Sequence, residues 1–251
     1  MFTVAADAYD RFMGRYSTPL APLMADYARV VPGQRVVDVG CGPGALTTEL
    51  VQRVGPDGVS AGDPSEPFVA AAKERHPGVD VRLASAEQLP FADDAFDGSL
   101  AQLVVHFMAD PVKGLQQMGR VTRPGGVVAA CVWDHAGQHG PLSLFWEAAR
   151  EIDPDAEDES DLAGVREGQL AALFGAAGLR EIESSVLDAS LEHQSFEAWW
   201  EPFTGGVGPA GSFVASLDQH RQAALRERCR ALLPPAPFTL PARAWAARGL
   251  A

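Results

Sequence analysis

The sequence predicts an α/β fold in which about five strand–helix units build an open, doubly wound sheet with helices on both faces. Short apolar runs rich in valine and alanine alternate along the chain with stretches of helical periodicity. That alternation is typical of parallel strands joined by crossover helices. The first apolar run ends in closely spaced glycines. With 251 residues, of which 47% are hydrophobic, the chain can bury the core of one large domain, which we place at residues 1–251.

Composition and charge disfavour several classes of protein. No apolar run reaches the ~18 residues that a membrane span needs, and the first seven residues do not have the pattern of a signal peptide. The three cysteines, Cys41, Cys131 and Cys229, form neither a metal-type pair nor a disulfide framework. A net charge of −13 disfavours a nucleic-acid partner. We therefore expect a cytoplasmic protein without a metal site, which neither inserts into a membrane nor binds nucleic acid.

The first predicted element is helical. Over residues 8–30, apolar and aromatic side chains recur at steps of three and four residues, which predicts a helix packed on the domain. Pro32-Gly33 then forms a turn before the first strand.

The glycine loop after the first strand is the centre of the sequence. The run Val36–Val39 predicts a buried parallel strand, Gly40, Gly42 and Gly44 follow it, and residues 45–51 predict a helix. Glycines let the chain turn sharply and let a ligand lie on the backbone, while the first N–H groups of the helix face that ligand. The loop alone leaves three interpretations open: a dinucleotide-binding turn, an S-adenosylmethionine (SAM) loop, and an ordinary turn.

The wider spacing favours SAM. Asp38 stands two residues before the first glycine, and Asp38-x-Gly40-x-Gly42-x-Gly44 closely resembles the first motif of class I SAM-dependent methyltransferases. The predicted second strand, Val59–Gly62, ends at Asp63, where both cofactor classes place an acid against the ribose. A carboxylate suits that role because its two oxygens match two hydroxyl donors. Asp63-Pro64-Ser65 also has the pattern of a helix start, and Pro64 is a candidate to pack on adenine.

A second segment extends the resemblance. After a predicted strand over residues 79–83 come Ser85-Ala86-Glu87-Gln88-Leu89-Pro90-Phe91 and then Phe96-Asp97. These are similar to segments of methyltransferases with a type-11 domain, the group that includes the quinone-biosynthesis methyltransferases. The resemblance implies that Ala86 and Glu87 meet the adenine ring, with Ser85 where the family usually has an aspartate for the exocyclic amine. A nicotinamide dehydrogenase has no need of this segment, so the dinucleotide interpretation becomes the weaker one.

The remaining elements of the predicted core, residues 35–133, follow in order. They are a fourth strand with its turn over 96–105, a helix from Asp110-Pro111 to Val121, a tight turn over 123–126, and a fifth strand over 127–132. Ligands of such sheets bind beyond the carboxyl ends of the strands. We therefore expect Gln102 at the cofactor, and His106, His135 or His139 near the acceptor.

Beyond residue 136 the chain is expected to build the substrate side, with helical cap elements within 136–165 and 195–235. We predict helices over 142–152, 169–177 and 212–233, and strands over 180–186, continuing toward 194, and over 237–245. The acidic run 153–161 is expected to be a solvated loop. Four aromatic residues can either line an apolar pocket or fill the core of the cap: Trp146, Trp199, Trp200 and Phe203.

The resemblance implies a seven-stranded, Rossmann-like, mostly parallel sheet and a SAM-dependent methyltransferase acting on an oxygen, nitrogen or carbon atom of a small molecule. It also places the N-terminal helix over the SAM pocket, where Tyr16 or Arg15 would reach the methionine end. A hydroxyl or amine acceptor must lose a proton, and His106 or His135 is the candidate base. The alternatives are a SAM-binding regulator or scaffold without turnover, and an NAD(P)-dependent oxidoreductase. The sequence fixes neither the acceptor nor the oligomeric state, and leaves a homodimer open.

Overall fold

The strands form a single sheet in the computed structural model, which describes residues 6–251. Part of the segment considered for a signal peptide, residues 1–5, lies outside the described residues. The order of the seven strands is β3-β2-β1-β4-β5-β7-β6, and β7 alone runs antiparallel to its neighbours. Their bounds are β1 Val36–Val39, β2 Val59–Asp63, β3 Asp80–Leu83, β4 Phe96–Gln102, β5 Thr122–Trp133, β6 Arg180–His193 and β7 Phe238–Leu250. The predicted doubly wound, mostly parallel seven-stranded sheet is confirmed.

Helices connect and cover the strands. Their bounds are α1 Ala6–Tyr9, α2 Arg15–Tyr27, α3 Ala45–Val54, α4 Glu66–Arg75, α5 Pro111–Val121, α6 Ser143–Ile152, α7 Gln169–Ala176, α8 Phe196–Trp200, α9 Gly208–Ser216 and α10 Gln219–Leu232. None of these helices has both the length and the apolar character required to cross a membrane. Among the described residues there is also no cluster of His, Cys, Asp or Glu that could hold a metal ion.

The predicted N-terminal helix is interrupted. Between α1 and α2 the chain makes a π-helical turn over Asp10–Gly14. The extra residue of such a turn rotates the side chains before it by about 100° relative to those after it. Residues that a continuous helix would place on one face therefore point in different directions, with consequences for the site described below.

The predicted helix over 212–233 is wrong as a single element. The structure ends α9 at Ser216 and starts α10 at Gln219. The Asp218 carboxylate accepts a hydrogen bond from the Arg221 N–H at 2.8 Å, as an N-cap does. The Gln222 amide donates to the carbonyls of Val214 and Leu217. These bonds give hydrogen-bond partners to backbone groups at the end of α9 and at the start of α10, and so stabilise the break.

The aromatic residues after the core form a separate apolar cluster in the cap. Phe145 and Phe203 stack at 4.5 Å between ring centroids, and Trp199 is fully buried beside them. Trp146 and Trp200 belong to the same cluster. None of the four aromatic residues considered for a pocket lines a cavity of the site, so the packing alternative is the correct one for them.

Candidate functional site

A cavity of about 430 Å³ lies at the carboxyl ends of β1, β2 and β4. Its volume falls in the range typical of pockets for small ligands. The glycine loop after β1, the turn after β2 and the residues after β4 form three of its walls. This is the edge at which the order of the strands reverses, and where open α/β sheets bind their ligands.

The three glycines of the loop differ in their contact with the cavity and with neighbouring side chains. Gly42 lines the cavity with a φ of +55°, and a Cβ atom added there would meet nothing within 4 Å. Gly40 also lines the cavity, but a Cβ there would collide with the side chain of Val104. Gly44 has a φ of +102° at the start of α3 and does not line the cavity, so its expected cofactor contact becomes a role in turning the chain.

Asp63 ties the second strand to the glycine loop. Its Oδ2 accepts a hydrogen bond from the Gly42 N–H at 2.9 Å, and its Oδ1 accepts one from the Ser65 N–H at 2.8 Å. Burial raises the pKa of this carboxyl group, and both hydrogen bonds oppose that rise. Each oxygen keeps a further lone pair, and Asp63 and Pro64 both line the cavity, so the carboxylate can still accept hydroxyl donors.

Two buried acceptors at the cavity lack a partner. Asp38 is fully buried, and its Oδ2 accepts a hydrogen bond from the Thr47 hydroxyl at 2.7 Å. The Gln102 amide nitrogen donates to the carbonyl of Ser17 at 3.0 Å. Asp38 Oδ1 and Gln102 Oε1 have no hydrogen-bond partner among the described residues. Burial raises the pKa of Asp38 to about 7, so a cationic donor at this position would favour the ionised carboxylate.

The turn after β3 forms the wall of the cavity at which the family resemblance places the adenine ring. Ser85, Ala86 and Glu87 all line the cavity, in and just before a short 3₁₀ turn. The Glu87 carboxylate accepts hydrogen bonds from the backbone N–H groups of Ala109 at 2.8 Å and Asp110 at 3.3 Å. That carboxylate therefore holds the loop before α5 in place.

The expectation for Tyr16 and Arg15 does not agree with the structure. Tyr16 is buried away from the cavity, with its hydroxyl 3.3 Å from Nε2 of His193. The Arg15 guanidinium donates to the backbone carbonyls of Phe12, Ala198 and Trp199. The π-helical turn explains the difference, because it changes which residues of the N-terminal segment face the glycine loop.

From the N-terminal segment, Tyr9 and Asp10 line the cavity, where Tyr16 or Arg15 was expected. The Tyr9 ring lies 5.2 Å from the ring of Phe68, which lines the same cavity. The Asp10 carboxylate pairs with Arg75 at 2.7 Å. Tyr9 belongs to the apolar stripe seen in the sequence, but nothing in that stripe indicates the π-helical turn that selects it.

His106 and His135 line a second, smaller cavity of about 40 Å³, which shares Tyr9, Leu103 and Phe107 with the first. Their rings lie 5.8 Å apart between centroids. Burial lowers the pKa of His106 to about 3 and that of His135 to about 4. Both rings are therefore neutral at pH 7 and bind protons weakly. His139 lies outside both cavities and pairs with Asp134 at 2.8 Å.

Glu159 is a further cavity residue that the sequence did not indicate. It belongs to the acidic run that was expected to be solvated, yet it is 4% exposed and lines the second cavity. Its Oε2 has no hydrogen-bond partner among the described residues. Burial raises the pKa of Glu159 to about 7. Its neighbours Glu157 and Asp161 are exposed, so the composition of the run gives no signal that one member turns inward.

The charge of the two cavities has one sign. Asp10, Asp38, Asp63 and Glu87 line the first cavity and Glu159 lines the second, and no lysine or arginine stands among the described residues that line either one. In the first cavity, the four carboxylates attract a positively charged ligand and repel an anion.

Comparisons with known proteins show which proteins the core is similar to. Residues 37–130 match the family model described as "Methyltransferase domain". Demethylmenaquinone methyltransferase from Desulfitobacterium hafniense is 38% identical over 106 residues, which are 39% of this chain and 42% of that protein. The ubiquinone/menaquinone biosynthesis C-methyltransferase UbiE of Bdellovibrio bacteriovorus is 34% identical over 136 residues, which are 51% of this chain and 58% of that protein. The chain thus spans about half the length of the curated relatives it matches.

Solved structures extend the likeness to the whole fold. The YcgJ protein from Bacillus subtilis has a TM-score of 0.59 at 18% identity, covering 92% of this chain and 97% of that chain. Phosphoethanolamine N-methyltransferase 2 of Haemonchus contortus has a TM-score of 0.60 at 19% identity, covering 98% of this chain and 56% of that chain. The [4+2]-cyclase SpnF has a TM-score of 0.56 at 20% identity, covering 92% of this chain and 80% of that chain. Residues 37–130 therefore match the methyltransferase-domain family, within a chain that has the class I methyltransferase fold.

Proposed function

We propose that this protein is a methyltransferase that uses SAM to methylate a small-molecule acceptor. The observation that carries the proposal is the open side of Gly42, where a Cβ would project into free space within a cavity walled by carboxylates. A ligand can lie directly against the backbone there. SAM suits such a site, because it combines a ribose and an adenine with a cationic sulfonium and a cationic ammonium group.

Each part of SAM has residues suited to hold it. We assign the ribose hydroxyls to Asp63, whose oxygens keep free lone pairs beside the glycine loop. The adenine would lie between Pro64 and the backbone of 85–87. The ammonium group would donate to Asp38 Oδ1 and Gln102 Oε1, the two buried acceptors without a partner. This pairing removes the cost of leaving those oxygens desolvated.

When bound, SAM supplies a methyl group on a positively charged sulfur, which already makes the carbon electrophilic. The chain's own residues then have three tasks: to hold the acceptor in line, to exclude water and to bind the cationic cofactor. The carboxylates of the first cavity serve the last task. The N-terminal segment, through Tyr9 and Asp10, covers one side of the cavity and limits its contact with water.

The acceptor class rests on the relatives and on charge. One relative is named demethylmenaquinone methyltransferase and another ubiquinone/menaquinone biosynthesis C-methyltransferase, which supports a quinone-related small molecule as the acceptor for this chain. The acidic cavities and the net charge of −13 argue against nucleic acid. We further infer one domain over residues 1–251, with the cap within 136–165 and 195–235, and regard a homodimer as compatible with this function.

A protein that binds SAM without transferring its methyl group is the competing function. It has support in the fold neighbour named as a [4+2]-cyclase, since the same architecture serves a protein with another printed activity. The experiment that separates the two incubates purified protein with SAM and a mixed panel of phenols, amines and carbon acids. Mass spectrometry of the products then tests for a methylated acceptor together with S-adenosylhomocysteine. SAM binding without any methylated product across the panel would favour the competing function.

A further inference from the structure

The second cavity contains ionisable groups that SAM binding does not use. Its walls are mainly apolar, with Phe12, Met13, Leu142 and Val207 among them. Into this lining the structure places Glu159, His106 and His135, each less than a tenth exposed. Because this cavity shares part of its wall with the first, a molecule reaching into it would stand beside the bound cofactor.

Two polar atoms of this cluster lack a partner. Glu159 Oε2 and His106 Nδ1 are buried without a hydrogen bond to any described residue. A buried polar atom that stays unpaired costs roughly 1–3 kcal/mol, so native structures rarely keep one without a ligand, a water or a function. Two such atoms in one small cavity indicate a ligand whose polar group forms hydrogen bonds to both of them.

The surroundings restrict the charge of that ligand. No lysine or arginine stands among the described residues that line the cavity, so a carboxylate or phosphate group would enter without a counter-ion. Burial keeps both histidines neutral at pH 7. The apolar walls disfavour a charged group of either sign and favour an uncharged one that can give up a proton. The second cavity, of about 40 Å³, accommodates the reacting group of the acceptor. The rest of the acceptor would lie outside this cavity.

We propose that Glu159 is a catalytic base that takes a proton from the hydroxyl group of a neutral, mainly apolar acceptor of the phenol type. This assignment rests on the proposed methyltransferase function and names the acceptor class of that same site. His106, as a neutral imidazole with its proton on Nδ1, donates a hydrogen bond to the hydroxyl oxygen and positions it. The ring of His135 lies against the ring of His106 and holds it in position.

The step balances with the groups at hand. The hydroxyl oxygen forms a bond to the methyl carbon, and the carbon–sulfur bond breaks with its electron pair left on sulfur, which becomes a neutral thioether. The hydroxyl proton passes to the Glu159 carboxylate and later to water. The positive charge of the sulfonium and the negative charge of the carboxylate disappear together, so no charge is left behind in an apolar space.

The pKa of Glu159 suits a general base at neutral pH better than the pKa values of the two histidines do. A general base works best with a pKa near the working pH, and burial raises the pKa of Glu159 to about 7. The Trp146 side chain opposes that rise, and Asp158, next to Glu159 in the chain, contributes to it. The other titratable groups among the described residues that line the cavity are Tyr9, His106 and His135. The base must be ionised to accept a proton. Activity should therefore fall as the pH falls through about 7 and reach a plateau above it.

The test compares Glu159→Gln with Glu157→Gln, an exposed neighbour in the same acidic run. With 2-naphthol as the acceptor, Glu159→Gln should lower kcat by about 100-fold or more and remove the dependence on pH near 7. Glu159→Asp should recover part of the activity, and Glu157→Gln should match the wild-type protein. Calorimetry should find the same affinity for SAM in all four proteins, which shows that each variant is folded.

The acceptor class is tested with three compounds that share one ring system: 2-naphthol, 2-naphthylamine and 2-naphthoate. Their binding to protein saturated with S-adenosylhomocysteine is measured first, followed by turnover with SAM. The proposal predicts that 2-naphthol binds most tightly, is methylated on oxygen, and loses affinity in Glu159→Gln. Preferred binding of the amine or the carboxylate, methylation on a ring carbon, or an unchanged pH profile in Glu159→Gln overturns it.

The outcomes also separate this inference from the proposed function. Methyl transfer that is insensitive to Glu159→Gln defeats the assignment of the base and leaves the methyltransferase intact. A wild-type protein that binds SAM but methylates none of the three compounds, nor any member of the mixed panel, defeats both.

Discussion

At the scale of single residues, neighbouring glycines of the loop are required for different reasons. Gly40 is close to Val104, so a side chain there disturbs packing. Gly42 has open space on its Cβ side, so a side chain there occupies the ligand's place.

We predict that Gly42→Ala lowers the affinity for SAM by about 10-fold or more, because the methyl group blocks close approach to the backbone. Gly33→Ala is the matched control, since Gly33 also has a positive φ and open space but lies in an exposed turn outside the cavity. Both variants should lose a similar stability of about 1–2 kcal/mol from backbone strain, and Gly33→Ala should keep its affinity. Equal affinities in the two variants, measured by calorimetry, would contradict the site.

Asp38 should make the protein without ligand less stable as the pH rises. Its pKa is raised from 3.8 to about 7 by burial, so between these values the folded state holds a proton that the unfolded state has lost. Stability therefore falls with increasing pH across that window, and Glu159 acts in the same direction. Asp38→Asn should then be more stable than the wild-type protein at pH 8, by about 2–4 kcal/mol, and close to it at pH 4.

Chemical denaturation at pH 4 and pH 8 measures this difference. A wild-type stability that increases from pH 4 to pH 7 in parallel with that of Asp38→Asn would show that Asp38 is not the desolvated acid described here. The same variant should bind SAM weakly, because it loses the charge that we assign to the ammonium group.

At the scale of elements, the N-terminal segment depends on two contacts to stay over the cavity. Asp10 pairs with Arg75, and Tyr9 packs on Phe68. Arg75 also donates to the carbonyl of Pro43 in the glycine loop at 2.8 Å, so one side chain joins the segment, the loop and α4.

We predict that Arg75→Ala speeds the dissociation of SAM about fivefold, corresponding to the ~1 kcal/mol of a part-exposed ion pair, with little change in thermal stability. Arg53→Ala is the control, because Arg53 makes a comparable set of bonds, to Asp26, Glu49 and the Pro22 carbonyl, away from the cavity. Stopped-flow measurement of ligand release compares the two. Equal release rates would mean that the segment does not retain the cofactor through Arg75.

Elements with local signals were predictable from the sequence, and elements that depend on distant contacts were not. Apolar runs and glycine turns identified β1, β2 and the helix after Asp110, whose carboxylate caps α5 by accepting the Lys113 N–H at 3.0 Å. The π-helical turn has no such local pattern, and it moved the cavity-facing position from Tyr16 to Tyr9. The break at Asp218 depends on bonds from Gln222 that helical periodicity does not reveal.

At the scale of the whole molecule, the core sheet and the cofactor side followed from motifs, whereas the substrate side required the structure. Asp38, Gly40, Gly42, Asp63 and Gln102 were all expected at the carboxyl edge and line the cavity there. Glu159 was not expected, because its burial depends on how the cap folds over the edge of the sheet. The acidic run around it is otherwise half-buried or exposed, and charge alone predicts solvent for every member.

The central claim, that the carboxyl edge of the sheet binds SAM, is tested most directly by calorimetric titration of cofactor-stripped protein with SAM and with S-adenosylhomocysteine. Asp63→Ala serves as the site variant. Asp97→Ala is the control, since its carboxylate also accepts a backbone N–H, from Arg35, but at the opposite end of the sheet. The account predicts micromolar binding of both ligands, lost by about 100-fold in Asp63→Ala and retained in Asp97→Ala. Folded wild-type protein that binds neither ligand, or Asp63→Ala that binds both as tightly as Asp97→Ala, would contradict it.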